Sequence, residues 1–486
     1  MRISVLGLGY VGLVTAGCAA EWGNDVVGMD ASLDRVASLK AGRVPFYEPG
    51  LNEIVAKNLG LRRLSVTADP AAAVADAEIV VVAVGTHDGN GGWQSKTLID
   101  CLAATVGRIP DDAALVIRST IPLDLLPELP GLVRRLRAEA GRPPLPVLCN
   151  PEFTREGRAV HDFQNPDRVV IGVFDDQNDR GLDRMAEFYA PIDAPKLLLD
   201  GTDAILSKLG ANLFLATKIS FANELATVCD AFGGRVEEVV RAMGYDSRIG
   251  AGFLRAGVGF GGSCLPHQVT MMVKEAEEAG IETPLLSAVE EVNRHQREAV
   301  VTRLDWLLGG LDGRRVALLG LTFKPDTDDL RDAPALEIAE RLIADGAEVV
   351  AYDPMEGARD RSAQLVPGLA VVATVDEALR EADAAALVTE WPEFSALDWE
   401  RVADLMAGRV IVDGRNALPE SAIRAAGFRY TAFGRPSRAR QPAAAMVPEA
   451  VREPALGAVS MAARAPRNRT AARTASTRTV ETPVSV

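Results

Sequence analysis

The sequence predicts an α/β protein: two Rossmann-like, doubly wound parallel-sheet domains joined by a long helical middle, with a disordered basic C-terminal tail. Three observations predict it. Short Val, Ile and Leu runs alternate with helical patterns over the first two hundred residues, a glycine signature follows the first of those runs, and the alternation stops near Thr202 and resumes at Val316. The expected strands of the first half are Ile3–Leu8, Asp25–Met29, Ile79–Val84, Leu115–Ser119, Val147–Asn150, Val169–Val173 and Leu197–Leu199. Near-continuous apolar runs of this length mark strands buried on both faces, as in a parallel sheet covered by helices. From Thr202 to Gly233 the pattern is one long helix without proline, and a second helical block runs from Gln268 to Leu308. Strands are expected again at Val316–Leu319, Glu348–Tyr352, Ala385–Val388 and Val410–Val412. The expected divisions are therefore 1–200, 201–308, 309–434 and a tail at 435–486.

Composition narrows the class of protein. A chain of 486 residues exceeds what one hydrophobic core serves, and its 48% hydrophobic content is that of a globular protein. It contains no apolar run near the ~18 to 20 residues of a membrane span. A strand that starts almost at Met1 and enters a glycine turn is not a signal peptide, so a cytoplasmic location is expected. Five cysteines, an odd number without a CxxC pair, fit a reducing compartment rather than a disulfide framework. Cys18, Cys101, Cys149 and Cys229 fall in helical or strand patterns and are expected to pack. The four histidines are scattered, and no metal-ligand spacing emerges. From Arg435 to Val486 nine arginines stand against three glutamates, so the tail is basic and the remainder is more acidic than the net −15 of the whole chain. An acidic body argues against nucleic acid as a partner. The tail, rich in Ala, Pro, Arg, Thr and Ser, lacks the apolar surface to offset its ordering entropy.

Gly7-Leu8-Gly9-Tyr10-Val11-Gly12 follows a strand and opens a helix, the context a dinucleotide-binding turn requires. Its first glycine permits the tight turn, the second admits a pyrophosphate, and the third packs helix on strand. Asp30 ends the next strand, where a carboxylate meets ribose hydroxyls and repels a 2′-phosphate, so NAD is expected rather than NADP. Arg35, slightly further on, is placed either at the adenosine and its phosphates or in solvent.

Gly257-Val258-Gly259-Phe260-Gly261-Gly262-Ser263-Cys264-Leu265-Pro266 sets one thiol in a glycine-rich loop, which lets a ligand approach the backbone closely. A nicotinamide cofactor together with a nucleophilic thiol suggests oxidation of an alcohol or aldehyde through a covalent thioester. Lys208 and Asn212, four apart on a helix, share one face and can donate to one small target. Asn150-Pro151-Glu152 reads as a helix start, with Asn150 as N-cap and Pro151 at the first helical position. Glu152 and Glu156 then fall one turn apart at the end of a strand, where open α/β sheets bind ligands.

These features occur among longer motifs: Asn150 to Gly157 including Phe153, Asn165-Pro166-Asp167-Arg168, Lys208 to Asn212 with Ala216 to Phe221, the cysteine loop, and Gly320-Leu321-Thr322-Phe323-Lys324-Pro325 with Thr327 to Arg331. Over roughly residues 1–435 the chain resembles the UDP-glucose and GDP-mannose dehydrogenase family, on its UDP-glucose side. The resemblance implies an enzyme that oxidises C6 of UDP-glucose to a carboxylate with two NAD, and makes 1–200 the NAD-binding domain, 201–308 the central dimerisation domain and 309–434 the UDP-binding domain. It implies that Cys264 is the nucleophile, that Lys208 and Asn212 stabilise oxyanions at C6, and that Glu152 is the base or water-orienting group for thioester hydrolysis. Thr120, in Ser119-Thr120-Ile121-Pro122, matches a threonine that holds the catalytic water. By the same resemblance Gly7, Gly9, Tyr10, Val11, Gly12, Asp30, Arg35, Thr86, Thr120, Glu156 and Arg331 contact the cofactor. The substrate contacts are Phe153, Glu156, Lys208, Asn212, the loop Arg248, Phe253, Leu254 and Arg255 over the UDP, Gly261, Phe323, Lys324 on the diphosphate, and Arg415. A homodimer or larger homo-oligomer is implied as well.

The chain departs from the family at two places. The cysteine loop continues Pro266-His267-Gln268, where Pro-Lys-Asp is usual, so Gln268 replaces an acid that helps deprotonate the C6 hydroxyl; general acid-base assistance is worth ~10²- to 10⁴-fold. His267 is either a replacement proton carrier or a passive substitute for lysine. Gly85-Thr86-His87 replaces Gly-Thr-Pro, and Gly89 to Trp93 is atypical. Besides UDP-glucose oxidation, two readings stand open: another nucleotide-sugar 6-dehydrogenase, acting on GDP-mannose or a UDP-N-acetyl-hexosamine, and a nucleotide-sugar-binding protein with little catalysis.

Overall fold

The computed structural model describes residues 1–86, 92–174 and 179–436. His87 and the stretch Gly89 to Gly91, and the basic tail from residue 437 on, lie outside the described residues.

Two open sheets organise the chain. The first contains β1 (Arg2–Leu6), β2 (Asp25–Met29), β3 (Leu64–Thr67), β4 (Ile79–Val82), β5 (Ala114–Ile117), β6 (Val147–Cys149), β7 (Val169–Val173) and β8 (Lys196–Asp200). Its order is β3-β2-β1-β4-β5-β6-β7-β8. The chain thus reverses its winding beside β1, the place where such sheets bind ligands at the strand C-termini. The second sheet contains β9 (Arg315–Leu319), β10 (Glu348–Tyr352), β11 (Ala370–Val371), β12 (Ala384–Leu387), β13 (Val410–Asp413) and β14 (Arg429–Ala432), in the order β11-β10-β9-β12-β13-β14. Its pairs are all parallel. Both sheets are apolar on both faces, as β4 and β12 show by being buried along their whole length.

Between the sheets runs the helix Gly201–Phe232, capped by the Asp200 side chain, which accepts from the Thr202 amide, and ended by the left-handed Gly233. The expected second helical block is in fact two helices, Leu265–Glu278 and Pro284–Leu308. Gly280, at a φ of +73°, and Pro284 at the start of the second helix break it.

The structure differs from the sequence expectation at three places. The first sheet is not wholly parallel: β6 and β7 pair antiparallel, Leu148 opposite Val173 and Cys149 opposite Gly172. An apolar run reads the same in either direction, and the intervening 150–168 carries only the short helix Ala159–Gln164, less than a parallel crossover needs. Second, Asn150 caps no helix, since 150–158 is irregular. Its side chain is used across the sheet: Nδ2 donates to Val170 O at 2.8 Å, and Oδ1 accepts from Arg118 Nη1 and from the Tyr189 hydroxyl, each at 2.6 Å. Third, Arg435 is anchored rather than part of a loose tail, donating to the Tyr430 hydroxyl at 2.6 Å and to Asn416 O at 2.9 Å. The short strands β3, β11 and β14 escaped the sequence pattern.

The turn after β1 explains its glycines. Gly7 has a φ of +90°, and a Cβ on Gly12 would lie 1.7 Å from Gly7 O, whereas one on Gly9 would meet nothing within 4 Å. Gly12→Ala is therefore expected to destabilise the protein by at least about 2 kcal/mol through overpacking, and Gly9→Ala by no more than about 1 kcal/mol. Urea unfolding of both variants checks the contrast.

Candidate active site

The cysteine loop is clamped on three sides. Asn223 Oδ1, on the long helix, accepts the Gly257 amide at 2.8 Å. Asn293, on Pro284–Leu308, grips the Phe260 peptide from both ends, accepting its N–H at 2.8 Å and donating to its carbonyl at 3.1 Å. From the second sheet, Gly414 O accepts the Val258 amide at 2.8 Å and Arg331 O the Gly262 amide at 3.0 Å. The glycines serve this packing more than ligand approach. A Cβ on Gly259 would lie 2.3 Å from Asn293 Oδ1, one on Gly261 2.3 Å from Asp332 O, and one on Gly262 2.8 Å from the Phe323 ring.

Cys264 stands at the N-cap of Leu265–Glu278, a position that favours a thiolate. Burial pushes its thiol up; Lys208 opposes that, and Glu152 and Glu156 add to it. The other four cysteines are free and occupy packed positions.

Lys208 and Asn212 do share a face of the long helix, and both are buried. Lys208 Nζ lies 3.0 Å from Glu152 Oε1, while Glu152 Oε2 accepts from the Thr154 amide at 2.7 Å and its hydroxyl at 2.6 Å. Burial alone raises the Glu152 carboxyl, but Lys208, Thr154 and Arg118 outweigh it and hold it below the usual carboxylate range. Asn212 Nδ2 donates to Gln268 Oε1 at 2.9 Å, so Gln268 is a buried acceptor. His267 faces away, its Nε2 3.2 Å from Asp332 Oδ2.

Glu156 joins the halves of the molecule. Oε1 accepts from the Ser263 hydroxyl and from Arg331 Nη2, each at 3.1 Å. Oε2 is buried with no donor facing it. Burial, with Asp329 adding, pushes the carboxyl up to about 8. Lys324 Nζ donates to the Glu156 carbonyl, and burial lowers its ammonium while Glu156 and Glu48 oppose that.

A cavity of about 720 Å³ opens here, walled by Glu152, Phe153, Glu156, Lys208, Asn212, Phe253, Gly261, Cys264, Phe323 and Lys324. That volume suits a ligand larger than a simple sugar. Four arginines of its wall, Arg118, Arg155, Arg158 and Arg168, were given no role by the sequence; the Arg168 guanidinium lies 3.7 Å over the Phe153 ring, and Arg118 is buried behind Glu152. Arg168 stood in a quoted motif without a role, and Arg118 immediately precedes Ser119-Thr120.

Other predicted residues lie elsewhere. Arg248 is exposed and paired with Asp246 at 2.6 Å, Arg255 is exposed, and Leu254 is buried; none belongs to the cavity wall. Arg415 is committed to protein, donating to Val388 O at 2.7 Å, Gly259 O at 2.9 Å and Phe323 O at 3.2 Å. Thr86 donates to Thr120 O at 2.8 Å, tying together the loops after β4 and β5.

The turn of Gly7, Gly9, Tyr10, Val11 and Gly12 fits a dinucleotide. The N-cap Gly9 provides no side-chain cap to the helix Tyr10–Glu21 and leaves open space for an anion. Asp30 accepts from the Leu8 amide at 2.8 Å and the Ser32 amide at 2.9 Å, and Arg35 Nη1 lies 2.9 Å from its Oδ2. A carboxylate offers about four acceptor positions, so one remains for a ribose hydroxyl. Among the described residues no acid, His and Cys cluster could hold a metal, and no helix is long and apolar enough to cross a membrane.

Comparison with known proteins agrees with this geometry. The UDP-glucose/GDP-mannose dehydrogenase family matches in three parts: its NAD binding domain over residues 1–193, its central domain over 202–295 and its UDP binding domain over 317–420. A UDP-glucose 6-dehydrogenase of Pseudomonas aeruginosa is 41% identical over 90% of this chain and 98% of its own length. One from Rhizobium meliloti is 39% identical over 90% of this chain and all of its own length. The solved structure of a UDP-glucose dehydrogenase from Pyrobaculum islandicum superposes with a TM-score of 0.80 at 37% identity, covering 88% of this chain and 96% of that one.

The raised Glu156 carboxyl makes stability depend on pH. A carboxyl raised from its usual value of 4.5 to about 8 makes the folded protein bind an extra proton between those values, so stability falls as pH rises through that window. Glu156→Gln removes this dependence. The wild-type melting temperature, relative to that of the variant, is expected to decline from pH 5 to pH 8 and level off above.

Proposed function

The chain belongs to the UDP-glucose/GDP-mannose dehydrogenase family and takes NAD as its cofactor; from that premise we propose that it oxidises UDP-glucose at C6 to UDP-glucuronate through a thioester on Cys264. The observation that carries this is the convergence of Cys264, Lys208, Asn212 and Glu152 on one cavity. An alcohol dehydrogenase with a one-step product needs no thiol there. When bound, NAD would supply the hydride acceptor, one molecule for each of the two oxidations.

The residues divide the work as their chemistry allows. Loss of a hydride and a proton from the C6 alcohol leaves an aldehyde. The Cys264 thiolate adds to its carbon, and the oxyanion that forms is met by donors from Lys208 and Asn212. Loss of the second hydride leaves a thioester, which keeps the sugar from escaping at the aldehyde stage. Glu152, held ionised by Lys208 and Thr154, takes a proton from the attacking water, and the thiolate leaves as UDP-glucuronate forms. Gln268 cannot accept a proton at working pH; its carbonyl holds the Asn212 amide, and the Lys208–Glu152 pair is the remaining route for protons.

Lys324 supplies positive charge for the diphosphate, Phe253 and Phe323 supply apolar wall, and the dinucleotide turn with Asp30 holds the cofactor. Thr120, Arg331 and Arg415 act through the loops they tie. We place the enzyme in the cytoplasm, where five free cysteines persist, with its product feeding polysaccharide synthesis. It works as a homodimer or larger assembly, for which Phe214, Phe221 and Val228, exposed at seven-residue intervals on the long helix, supply an apolar face.

The test is the NADH yield per nucleotide sugar, with the product identified by mass spectrometry across UDP-glucose, GDP-mannose and a UDP-N-acetyl-hexosamine. Two NADH and a uronate from UDP-glucose are expected. Turnover on another sugar alone moves the assignment to that sugar, and tight binding without NADH makes the chain a binding protein.

A further inference from the structure

The segment that carries Glu156 hangs from the dinucleotide turn by one carboxylate. Glu48 is 4% exposed and is not part of the cavity wall. Its Oε1 accepts the Ala159 amide at 2.7 Å, and its Oε2 accepts the Gly157 amide at 2.6 Å together with the Tyr10 hydroxyl. The Gly157 amide is shared, reaching the Tyr10 oxygen at 3.1 Å. Tyr10 also packs on Phe46, with ring centroids 4.9 Å apart.

On its other side the same stretch is pressed against the cysteine loop and the second sheet. Gly157 has a φ of +75°, and a Cβ there would lie 2.5 Å from Asp326 O. The Glu156 carbonyl accepts from Lys324, and its side chain accepts from Ser263 and Arg331. The peptide between Glu156 and Gly157 therefore touches Tyr10 of the cofactor turn on one side and Lys324 on the other, and the Glu156 side chain extends from it to Ser263 of the cysteine loop. Tyr10 is the first residue of the helix whose N-terminus receives a dinucleotide pyrophosphate in this fold. Restraining that turn restrains the phenol, and charge-assisted bonds to one buried carboxylate pass the restraint on with little slack.

We propose that Tyr10 and Glu48 are positioning residues that couple occupancy of the dinucleotide turn to the placement of Glu156 at the cysteine loop. The coupling rests on the cofactor and not on which sugar is oxidised. Glu48→Gln keeps the shape but turns one acceptor oxygen into an amide NH2 group facing a backbone N–H, so either Gly157 or Ala159 loses its partner. Tyr10→Phe removes a single hydroxyl and with it the link to Glu48.

Hydrogen exchange of the full-length protein, with and without saturating NADH, reads the coupling directly. In the wild type NADH is expected to slow exchange across 152–160 by about fivefold or more, a common size for coupling between sites. In Y10F and E48Q the slowing is expected to fall below about twofold. Equal protection in wild type and both variants overturns the proposal, and so does a wild type whose 152–160 exchange ignores NADH. If E48Q does not fold, Y10F alone decides. In turnover, kcat of Y10F is expected to fall about tenfold while KM for NAD moves less than about twofold; a merely structural role lowers the melting temperature and leaves both constants of the folded protein in place. Failure of UDP-glucose to react leaves the exchange result intact, because that experiment contains no sugar.

Discussion

A lysine and a glutamate buried together fix the geometry on which the rest of this molecule depends. Lys208 Nζ and Glu152 Oε1 are 3.0 Å apart with both side chains nearly closed to solvent. Burying one such charge alone costs several kcal/mol, so the long helix and the end of β6 must meet in a single register. Thr154 completes the carboxylate's bonding, and Arg118 adds positive charge from behind. The same pair sets the reactivity of Cys264, since Lys208 is the cation that counters the effect of burial on the thiol. Fold stability and chemistry thus draw on one interaction, and the site cannot loosen without exposing a charge.

The second constraint is the clamp on the cysteine loop. Asn223 and Asn293 hold it from two helices, and Arg415 ties Gly259 to the second sheet. In the proposed mechanism the thiol captures the aldehyde and holds the sugar through the second oxidation until hydrolysis, so it must keep one position, and a loop fixed from three sides provides that. The glycines are consequences of the clamp: each is a place where a protein atom comes closer than any Cβ allows.

Much of this was legible in the sequence. The dinucleotide turn was readable because Gly7, Gly9 and Gly12 each have a local reason, and the spacing of Lys208 and Asn212 put them on one face of a helix. What was hidden depends on partners remote in sequence. The direction of β7 against β6 leaves no trace in composition. Asn150 looked like a helix cap because Pro151 follows it, but Arg118, Tyr189 and Val170 compete for its side chain and win. Glu48 showed nothing locally, since its backbone donors lie more than a hundred residues away. Arg415 and Arg248 looked alike as conspicuous arginines; burial commits one to backbone carbonyls and exposure leaves the other paired with Asp246. Gln268 was visible as a departure, yet only its bond to Asn212 gives it a physical role.

Cys264 is proposed to carry the sugar as a thioester which Glu152 helps water to break. Intact-mass spectrometry of the Glu152→Gln protein, mixed with UDP-glucose and excess NAD and quenched in acid, tests it most directly. A covalent adduct of the thioester mass, lost when Cys264 is also replaced by Ala, is the outcome this account predicts. An unmodified protein that has nevertheless released uronate, or an adduct that survives loss of Cys264, contradicts it.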